Sequence, residues 1–162
     1  MGFDVKKAYN MYHRQIISVS YHCAGNIQDA EDIAQNVFVK FSKIAPDVGD
    51  DFNVRAWLYR VAVNECIDRK RSFKRALQYL FDSYGKKEQV LDSKFAKKVE
   101  MNLDLKKLLN RVNEKTRIIL ILKFLQEMEY EEISKIMNMP VGTLKSIVSR
   151  GLKQISGRNK NG

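Results

Sequence analysis

The chain has 162 residues, which allows one domain of usual size or two small ones. It carries 29 Lys and Arg against 19 Asp and Glu, and the resulting formal net charge of +10 favours a polyanionic partner. Hydrophobic residues make up 44% of the chain, which excludes disorder throughout, while the absence of a long apolar run predicts no membrane insertion. Only eight Gly and two Pro interrupt long runs of helix-forming residues, so the composition predicts an all-α fold.

The chain shows no pattern that we associate with catalysis or metal binding. Cys23 and Cys66 are isolated, and His13 and His22 have no partners at metal-ligand spacing, so we predict no metal site and no cofactor. The three aspartates between residues 44 and 53 do not meet the calcium-loop pattern, and no phosphate loop or nucleophile elbow occurs. We therefore predict that the chain is not an enzyme. The two thiols and the lack of an apolar signal sequence favour the cytoplasm.

Two amphipathic helices are predicted in the first 44 residues. Residues 5–24 repeat apolar side chains at steps of three and four, which predicts one buried stripe: Tyr9, Tyr12, Ile16, Val19 and Cys23. Gly25 and Asn26 predict the break, with Asn26 as the N-cap of the second helix. Its first turn is expected to carry Asp29, Glu31 and Asp32, acids that complement the helix dipole. Its buried face is expected to be Ala30, Ile33, Ala34, Val37, Phe38 and Phe41.

A third helix is predicted from Val54 to about Arg75. One side is expected to face the core and consists of Trp57, Leu58, Val61, Ala62 and Cys66. Another side carries Arg60, Asn64, Ile67 and Arg71, and the helix ends in DRKRSFKR, which has five cations and one acid. Aromatic residues beside cations and an amide suit single-stranded nucleic acid. The simpler interpretation, a packed core Trp57 and a surface amide at Asn64, stays open at this point.

The stretch from Phe73 to about Met101 lacks a clean helical period and is predicted to be a linker with short helices. Asn102 to Asn110 is amphipathic, and Asn113 is the expected N-cap of a helix through Thr116 to Phe124, which is apolar on most sides. With the two helices that follow, these segments predict a four-helix C-terminal domain.

Residues 130–155 predict a helix-turn-helix. Glu131 to Met137 and Thr143 to Ile155 have helical spacing, and the break between them contains Pro140. The buried side of the second helix is expected to be Leu144, Ile147, Val148, Leu152 and Ile155. Its opposite face carries Lys145, Ser146, Ser149, Arg150 and Lys153, and no acidic residue follows Pro140. Small polar side chains among cations suit entry into the DNA major groove, although a solvated basic face of an ordinary hairpin is the alternative.

Two motifs together resemble a known family. DAEDIAQNVFVKFSK (29–43) followed by VRAWLYRVAVNECIDRKR (54–71) resembles region two of the extracytoplasmic-function sigma factors, and the helix-turn-helix with PVGTLKS resembles their region four. The resemblance covers about residues 5–72 and 102–156. It implies two small helical domains joined by a linker: region two at 1–72, the linker at 73–101 and region four at 102–162. It also implies a promoter-specificity subunit of bacterial RNA polymerase under the control of an anti-sigma factor.

The resemblance implies partners and site residues as well. The partners are core polymerase, through its β′ clamp helices and β flap, promoter DNA and an anti-sigma factor. The residues that it implies for docking on core polymerase are Asp29, Glu31, Asp32, Gln35 and Asn36. Those implied for binding the minus-ten element are Arg60, Asn64, Arg69 and Arg71. Those implied for binding the minus-thirty-five element are Pro140, Thr143, Lys145, Ser146, Ser149 and Arg150. The chain departs from the family at Ile147 and Leu152, where relatives frequently have arginine.

Two other functions compete with this interpretation. The chain could be a free-standing helix-turn-helix regulator that binds duplex DNA as a dimer, in which case it would protect a palindrome without polymerase. It could also be a protein-interaction module that sequesters a partner, although the DRKRSFKR cluster and the acid-free C-terminal stretch disfavour this.

Overall fold

The computed structural model describes residues 2–84 and 103–157, and these two ranges contain seven α-helices and no β-strand. In the first range, α1 is Val5–Ala24, α2 is Ile27–Ile44 and α3 is Val54–Tyr84. In the second, α4 is Leu103–Leu109, α5 is Glu114–Leu120, α6 is Tyr130–Met137 and α7 is Val141–Ser156. The prediction of an all-α fold with a helix-turn-helix in its C-terminal half is confirmed. A search of the described ranges for a helix able to cross a bilayer gives no candidate.

Side-chain caps begin the first two helices, and the second of these caps, Asn26, was predicted from the sequence. Asp4 accepts hydrogen bonds from the backbone amides of Lys6 and Lys7 at 2.9 and 3.4 Å, which satisfies free donors of α1. Gly25 ends α1 with a φ of 88°, a left-handed conformation that glycine adopts without strain. Asn26 Oδ1 then accepts from the amide of Asp29 at 2.8 Å and caps α2. Because α2 begins at Ile27, Asp29 alone of the three acids lies in the first turn.

The helices α1, α2 and α3 pack around one apolar core. All six α2 residues predicted to be buried are buried, and Ile16, Phe41 and Tyr59 are among the largest side chains enclosed there. Trp57 is only partly buried, and its ring centroid lies 5.7 Å from that of Phe41 at the edge of the core. Tyr9 is 43% exposed, so its assignment to the buried stripe of α1 was wrong. Tyr9 packs against α2 through Phe38, with 5.1 Å between the ring centroids, and one side of its ring remains open to solvent.

Helix α3 is longer than predicted. It ends at Tyr84 rather than near Arg75, because no Gly or Pro occurs between Val54 and Tyr84 and good helix formers continue through this stretch. The first part of the predicted linker is therefore helical. Its remainder, residues 85–101, lies outside the described residues, and the domain boundaries at 72 and 102 stay predictions.

Helix α5 begins at another asparagine cap. Asn113 Oδ1 accepts from the amide of Thr116 at 2.8 Å, as predicted. Helix α5 does not continue regularly to Phe124 but widens into a π-helical turn, Ile121–Leu125, in which the amide of Gln126 bonds the carbonyl of Ile121 at 2.9 Å. The apolar residues of the run from Ile118 to Leu122 are all buried, as the pattern predicted.

The helix-turn-helix consists of α6 and α7. Asn138 ends α6 with a φ of 53°, and Pro140 precedes the first residue of α7. Leu144, Val148 and Gly151 form the buried line of α7, whereas Leu152 is 44% exposed, so its placement on the buried side was wrong. At about 100° per residue, Leu152 lies roughly 80° around the helix from Leu144, outside the line that contacts the core.

Helix α7 approaches α5 closely at Gly151. A Cβ atom at this position would lie 2.7 Å from Thr116 Cγ2, which is closer than side-chain carbons pack. Glycine thus sets the distance between α5 and the recognition helix.

Candidate nucleic-acid interface

The exposed face of α7 carries four of the predicted DNA-binding residues side by side. Lys145, Ser146, Ser149 and Arg150 are all exposed and line one shallow depression. Ser146 Oγ donates to the carbonyl of Gly142 at 3.1 Å, and Arg150 Nε donates to the carbonyl of Ser146 at 3.4 Å. These are bonds within the helix itself, and the two Nη atoms of the exposed Arg150 make no hydrogen bond to any described residue. The face combines cations with small polar side chains, which allows close approach of a DNA groove.

Lys145 lies on the α6 side of this face. Its Nζ atom is 5.7 Å from the centre of the Tyr130 ring, and Lys123 Nζ is 4.5 Å from the same ring. The negative face of an aromatic ring attracts such cations. Lys145 and Arg150 are five residues apart, about 500° of helical rotation, and therefore lie on different flanks of the recognition helix.

The N-terminus of α7 is open to an anion. Pro140 and Thr143 are exposed, and no side chain caps this end. The amide of Leu144 bonds the carbonyl of Pro140 at 3.1 Å, whereas the amides of the first turn before it have no intrahelical acceptor. A Cβ atom at Gly142 would meet no neighbouring side chain or other segment within 4 Å. Free amides together with the helix dipole favour a phosphate at this end.

The predicted minus-ten residues of α3 fall into two groups. Asn64 and Arg71 are exposed, and the side chain of Asn64 makes no hydrogen bond to any described residue. Arg60, one turn before Asn64, instead donates from Nη2 to the carbonyl of Lys135 and from Nε to that of Ile136 at 3.3 Å. Both carbonyls belong to the last turn of α6. Arg60 thus contacts the helix-turn-helix in this structure.

The fourth minus-ten candidate, Arg69, contacts the predicted docking residues. Its Nη1 atom lies 3.4 Å from Asp29 Oδ1 and 3.8 Å from Asp32 Oδ2. Asp29 also accepts from the side chain of Asn26 at 2.8 Å and is partly buried. The structure thereby brings together residues that the resemblance placed in two separate sites.

The remaining docking candidates lie on the exposed side of α2. Glu31, Asp32, Gln35 and Asn36 are all exposed. Glu31 and Gln35 line a groove whose opposite wall is α1, with Tyr9 and His13 stacked at 4.1 Å between ring centroids. Neither aromatic residue was predicted to form a surface, because Tyr9 was assigned to the buried stripe of α1 and His13 was considered only as a metal ligand.

A second group of missed residues lies between the two halves of the chain. Arg55 Nη1 lies 2.6 Å from Glu132 Oε1, and Gln126 Nε2 donates to Ser18 Oγ at 3.1 Å. No local pattern could have found these pairs, since each joins residues far apart in sequence.

Lys70, in the middle of the DRKRSFKR cluster, faces the cleft between the halves. The cleft also contains His22, Lys106 and Arg117. Burial lowers the pKa of Lys70, and the nearby charge of Arg117 lowers it further. Burial also lowers the pKa of His22, against the opposing effect of its hydrogen bond to the carbonyl of Ser18 at 2.9 Å. Lys70 therefore does not belong to the exposed nucleic-acid face.

Comparison with known proteins identifies the family. Residues 8–76 match the model of Sigma-70 region 2, and residues 102–155 match that of Sigma-70 region 4. The chain belongs to the sigma-70 family. Its relatives place it among the extracytoplasmic-function (ECF) sigma factors. It is 29% identical to the ECF sigma factor SigW of Bacillus subtilis, covering 88% of this chain and 81% of that protein. It is 27% identical to SigM of the same organism, covering 98% and 96%.

The solved structures agree with this fold. The sigma factor RpoE of Bartonella quintana, in a co-crystal structure with the anti-sigma factor NepR, superposes with a TM-score of 0.72 at 23% identity and 96% coverage of both chains. CnrH, solved in complex with the cytosolic domain of CnrY, gives 0.68 at 18% identity, covering 95% of this chain and 86% of that one.

The chain is thus a sigma factor of the ECF class, and such factors direct core RNA polymerase to promoters and initiate transcription. Sigma factors are transcription initiation factors and not themselves the catalysts. The presence of region 2 and region 4 in one chain, in this order, disfavours a free-standing dimeric regulator.

Proposed function

We propose that this ECF sigma factor divides promoter recognition between its two regions. Residues 1–72 dock on core polymerase and hold the melted minus-ten element. Residues 73–101 link the two regions, and residues 102–162 bind the minus-thirty-five element. The observation that supports this division is the pair of exposed polar faces, one on α3 around Asn64 and one on α7 around Arg150, within chain segments that match region 2 and region 4.

The minus-thirty-five element binds along α7. Arg150 reads a base edge with its planar donor fork, because a guanidinium matches the two acceptors of guanine in the major groove. Lys145 neutralises a phosphate on the flank beside Tyr130. Ser146 and Ser149 lie between the two cations and permit close approach, while Pro140 and Thr143 border a phosphate at the free amides of α7.

The melted minus-ten element binds along α3. Asn64, whose exposed side chain has no hydrogen-bond partner among the described residues, reads an extruded base, because a side-chain amide supplies both donors and an acceptor. Arg71 contacts the backbone from its exposed position. Arg69 adds a backbone contact with the donors that its ion pairs with Asp29 and Asp32 leave free. Arg60 contributes a further backbone contact once its hydrogen bonds to the α6 carbonyls are broken.

Core polymerase docks on α2. Glu31, Asp32, Gln35 and Asn36 form the exposed docking face, and Asp29 borders it. The β′ clamp helices occupy this face, where the groove beside Glu31 and Gln35 offers aromatic surface from Tyr9 and His13. The β flap contacts region 4. The charge of α2 then selects a partner surface with cationic side chains.

Control by an anti-sigma factor is part of the proposal. Two sigma factors of the same fold were solved as complexes, RpoE with the anti-sigma factor NepR and CnrH with the cytosolic domain of CnrY. We expect this chain to be held inactive by a partner of the same kind. It acts in the cytoplasm with the polymerase, needs no cofactor and has no enzymatic activity of its own.

The proposed function is tested by transcription in vitro with purified core polymerase and a library of bacterial promoters. We expect transcripts from a subset of promoters that share a minus-ten and a minus-thirty-five element, and none from core polymerase alone. The sigma factor without polymerase should bind these duplexes weakly. Protection of a palindromic duplex without polymerase, together with no transcripts from the library, would overturn the proposal in favour of a free-standing regulator.

A further inference from the structure

The cleft that contains Lys70 collects cationic side chains from three helices. Lys70 lies on α3, Lys106 on α4 and Arg117 on α5, and all three line a cavity of about 240 Å³. The last turn of α1 forms the remaining wall. There, Lys106 Nζ lies 3.8 Å from the point that a Cβ atom of Gly25, the C-cap of α1, would occupy. Three positive side chains therefore face one small space.

The described residues supply too little negative charge to balance these cations. None of the three forms an ion pair with a described residue. Burial lowers the pKa of Lys70, the charge of Arg117 lowers it further, and Glu114 opposes them only in part. The C-terminal end of α1 adds about half a negative charge beside Gly25. The cleft thus keeps an excess of positive charge, which a bound anion would compensate.

The donors of the cleft suit the oxygens of a phosphate group. Arg117 Nε donates to the carbonyl of Leu109 at 3.1 Å, which orients the guanidinium, and its two Nη atoms make no hydrogen bond to any described residue. A guanidinium can bind two phosphate oxygens at once, whereas a lysine ammonium binds phosphate as a point charge. One guanidinium and two ammonium groups around a single cavity therefore favour a ligand with several anionic oxygens.

The size of the cavity limits the ligand further. Pockets for drug-sized molecules measure about 300–1,000 Å³, and this cavity, at about 240 Å³, is smaller. We propose that the cleft binds a free phosphate anion of the size of pyrophosphate, with Arg117 holding two of its oxygens and Lys70 and Lys106 neutralising its charge. Neither Asn64 nor Arg150 lines the cleft, so this site lies outside the faces proposed to bind the promoter.

The test compares two neighbouring lysines of α4 in the full chain. Lys106→Gln removes a cation that lines the cleft, whereas Lys107→Gln removes the same charge from an exposed position that does not line it. Lys106 is itself exposed, so both variants should fold as the wild type does. Lys70→Gln is a second cleft variant. The probe is sodium pyrophosphate at constant ionic strength without divalent cations, and the readouts are titration calorimetry and the melting temperature.

We expect the wild type to bind one pyrophosphate per chain and to melt at a higher temperature in its presence, because the anion binds the folded chain. Lys106→Gln and Lys70→Gln should each bind it about tenfold more weakly, because each loses a charge-assisted contact. Lys107→Gln should bind it as the wild type does. No binding by the wild type, or an equal loss in Lys106→Gln and Lys107→Gln, would overturn the site.

A second titration separates a free anion from the phosphates of nucleic acid. Its probe is a single-stranded DNA oligonucleotide of mixed sequence at the same ionic strength. If the cleft holds a free anion, Lys106→Gln and Lys107→Gln should bind the oligonucleotide equally. Binding of the oligonucleotide but not of pyrophosphate, with a loss in Lys106→Gln alone, would assign the cleft to the nucleic-acid backbone and overturn the proposal of a small anion.

Discussion

Arg69 of α3 forms an ion pair with Asp29 of α2, with 3.4 Å between Nη1 and Oδ1. The contact joins the helix assigned to polymerase docking to the helix assigned to promoter opening. Both side chains are partly exposed, so the pair contributes at most about 1 kcal/mol to stability. The ion pair matters more for position than for stability, because it holds the Arg69 side chain next to the docking face.

Substitutions in the docking face should weaken polymerase binding while leaving the ion pair between Arg69 and Asp29 intact. Glu31→Arg with Gln35→Ala changes two exposed residues, neither of which is among the ion-pair partners of Arg69 in the described residues. We expect the affinity for core polymerase to fall about tenfold or more, since a repulsive charge replaces a complementary one, while helical content and melting temperature stay unchanged. The measurement is a binding titration with labelled core polymerase.

The control for this variant is Asp50→Arg, an equal change of charge at an exposed position of the loop between α2 and α3. It should bind core polymerase as the wild type does. A similar loss in both variants would assign the effect to net charge and remove Glu31 and Gln35 from docking.

Replacing Asn64 should change the base preference of the minus-ten element without destabilising the fold. Asn64→Ala removes an exposed amide, and alanine is the better helix former, so the variant should fold at least as stably. We expect weaker transcription and relaxed preference at one position of a randomised minus-ten library, with normal binding of core polymerase. Asn10→Ala, an exposed amide on α1, is the matched control. Unchanged base preference in Asn64→Ala would make this residue a plain surface amide.

The two cations of the recognition helix should behave differently. Arg150→Ala should cost about 1–3 kcal/mol of promoter binding and relax specificity at one minus-thirty-five position. Lys145→Ala should weaken binding to all promoters to a similar extent. It should also reduce the slope of log K against log salt concentration by roughly one unit, because one phosphate contact is lost. Promoter-library transcription at two salt concentrations separates these effects, with Lys43→Ala, exposed on α2, as the control. Identical minus-thirty-five preferences in wild type and Arg150→Ala would remove Arg150 from base readout.

Gly151 should be required for the packing of α7 on α5. Gly151→Ala favours the helix by about 1 kcal/mol, but the added carbon would meet Thr116 Cγ2 at 2.7 Å. We expect a net loss of about 1–2 kcal/mol in the free energy of unfolding, because overpacking a core outweighs the helix preference. Urea unfolding followed by circular dichroism measures the change.

Two further variants make this prediction specific. Thr116→Ser removes the methyl group, so in the double variant the loss from Gly151→Ala should shrink by about 1 kcal/mol. Gly142→Ala, at a position of the same helix where the added carbon meets nothing within 4 Å, should be neutral or stabilising by up to about 1 kcal/mol. Destabilisation by Gly142→Ala of the same size as by Gly151→Ala would contradict the packing argument.

The helix ends show what local sequence can predict. Asn26 and Asn113 were predicted as caps and both accept an amide three residues later, at 2.8 Å in each case. The end of α3 was predicted wrongly, since the change in apolar spacing near Phe73 was taken as a break although no helix-breaking residue occurs before Gly85. Capping and propensity thus defined boundaries better than hydrophobic periodicity did.

The sequence by itself determined the features that depend on neighbours a few residues away. These are the all-α fold, the six buried residues of α2, the break at Asn138 to Pro140 and the exposed cationic face of α7. Tertiary structure decided the rest: the exposure of Tyr9 and Leu152, the close approach at Gly151 and the partners of Arg55 and Arg60. Arg55 and Glu132 are 77 positions apart in sequence, so only the packing of whole helices brings them together. A helical period places a side chain on a face, but the neighbouring helix determines what that face contacts.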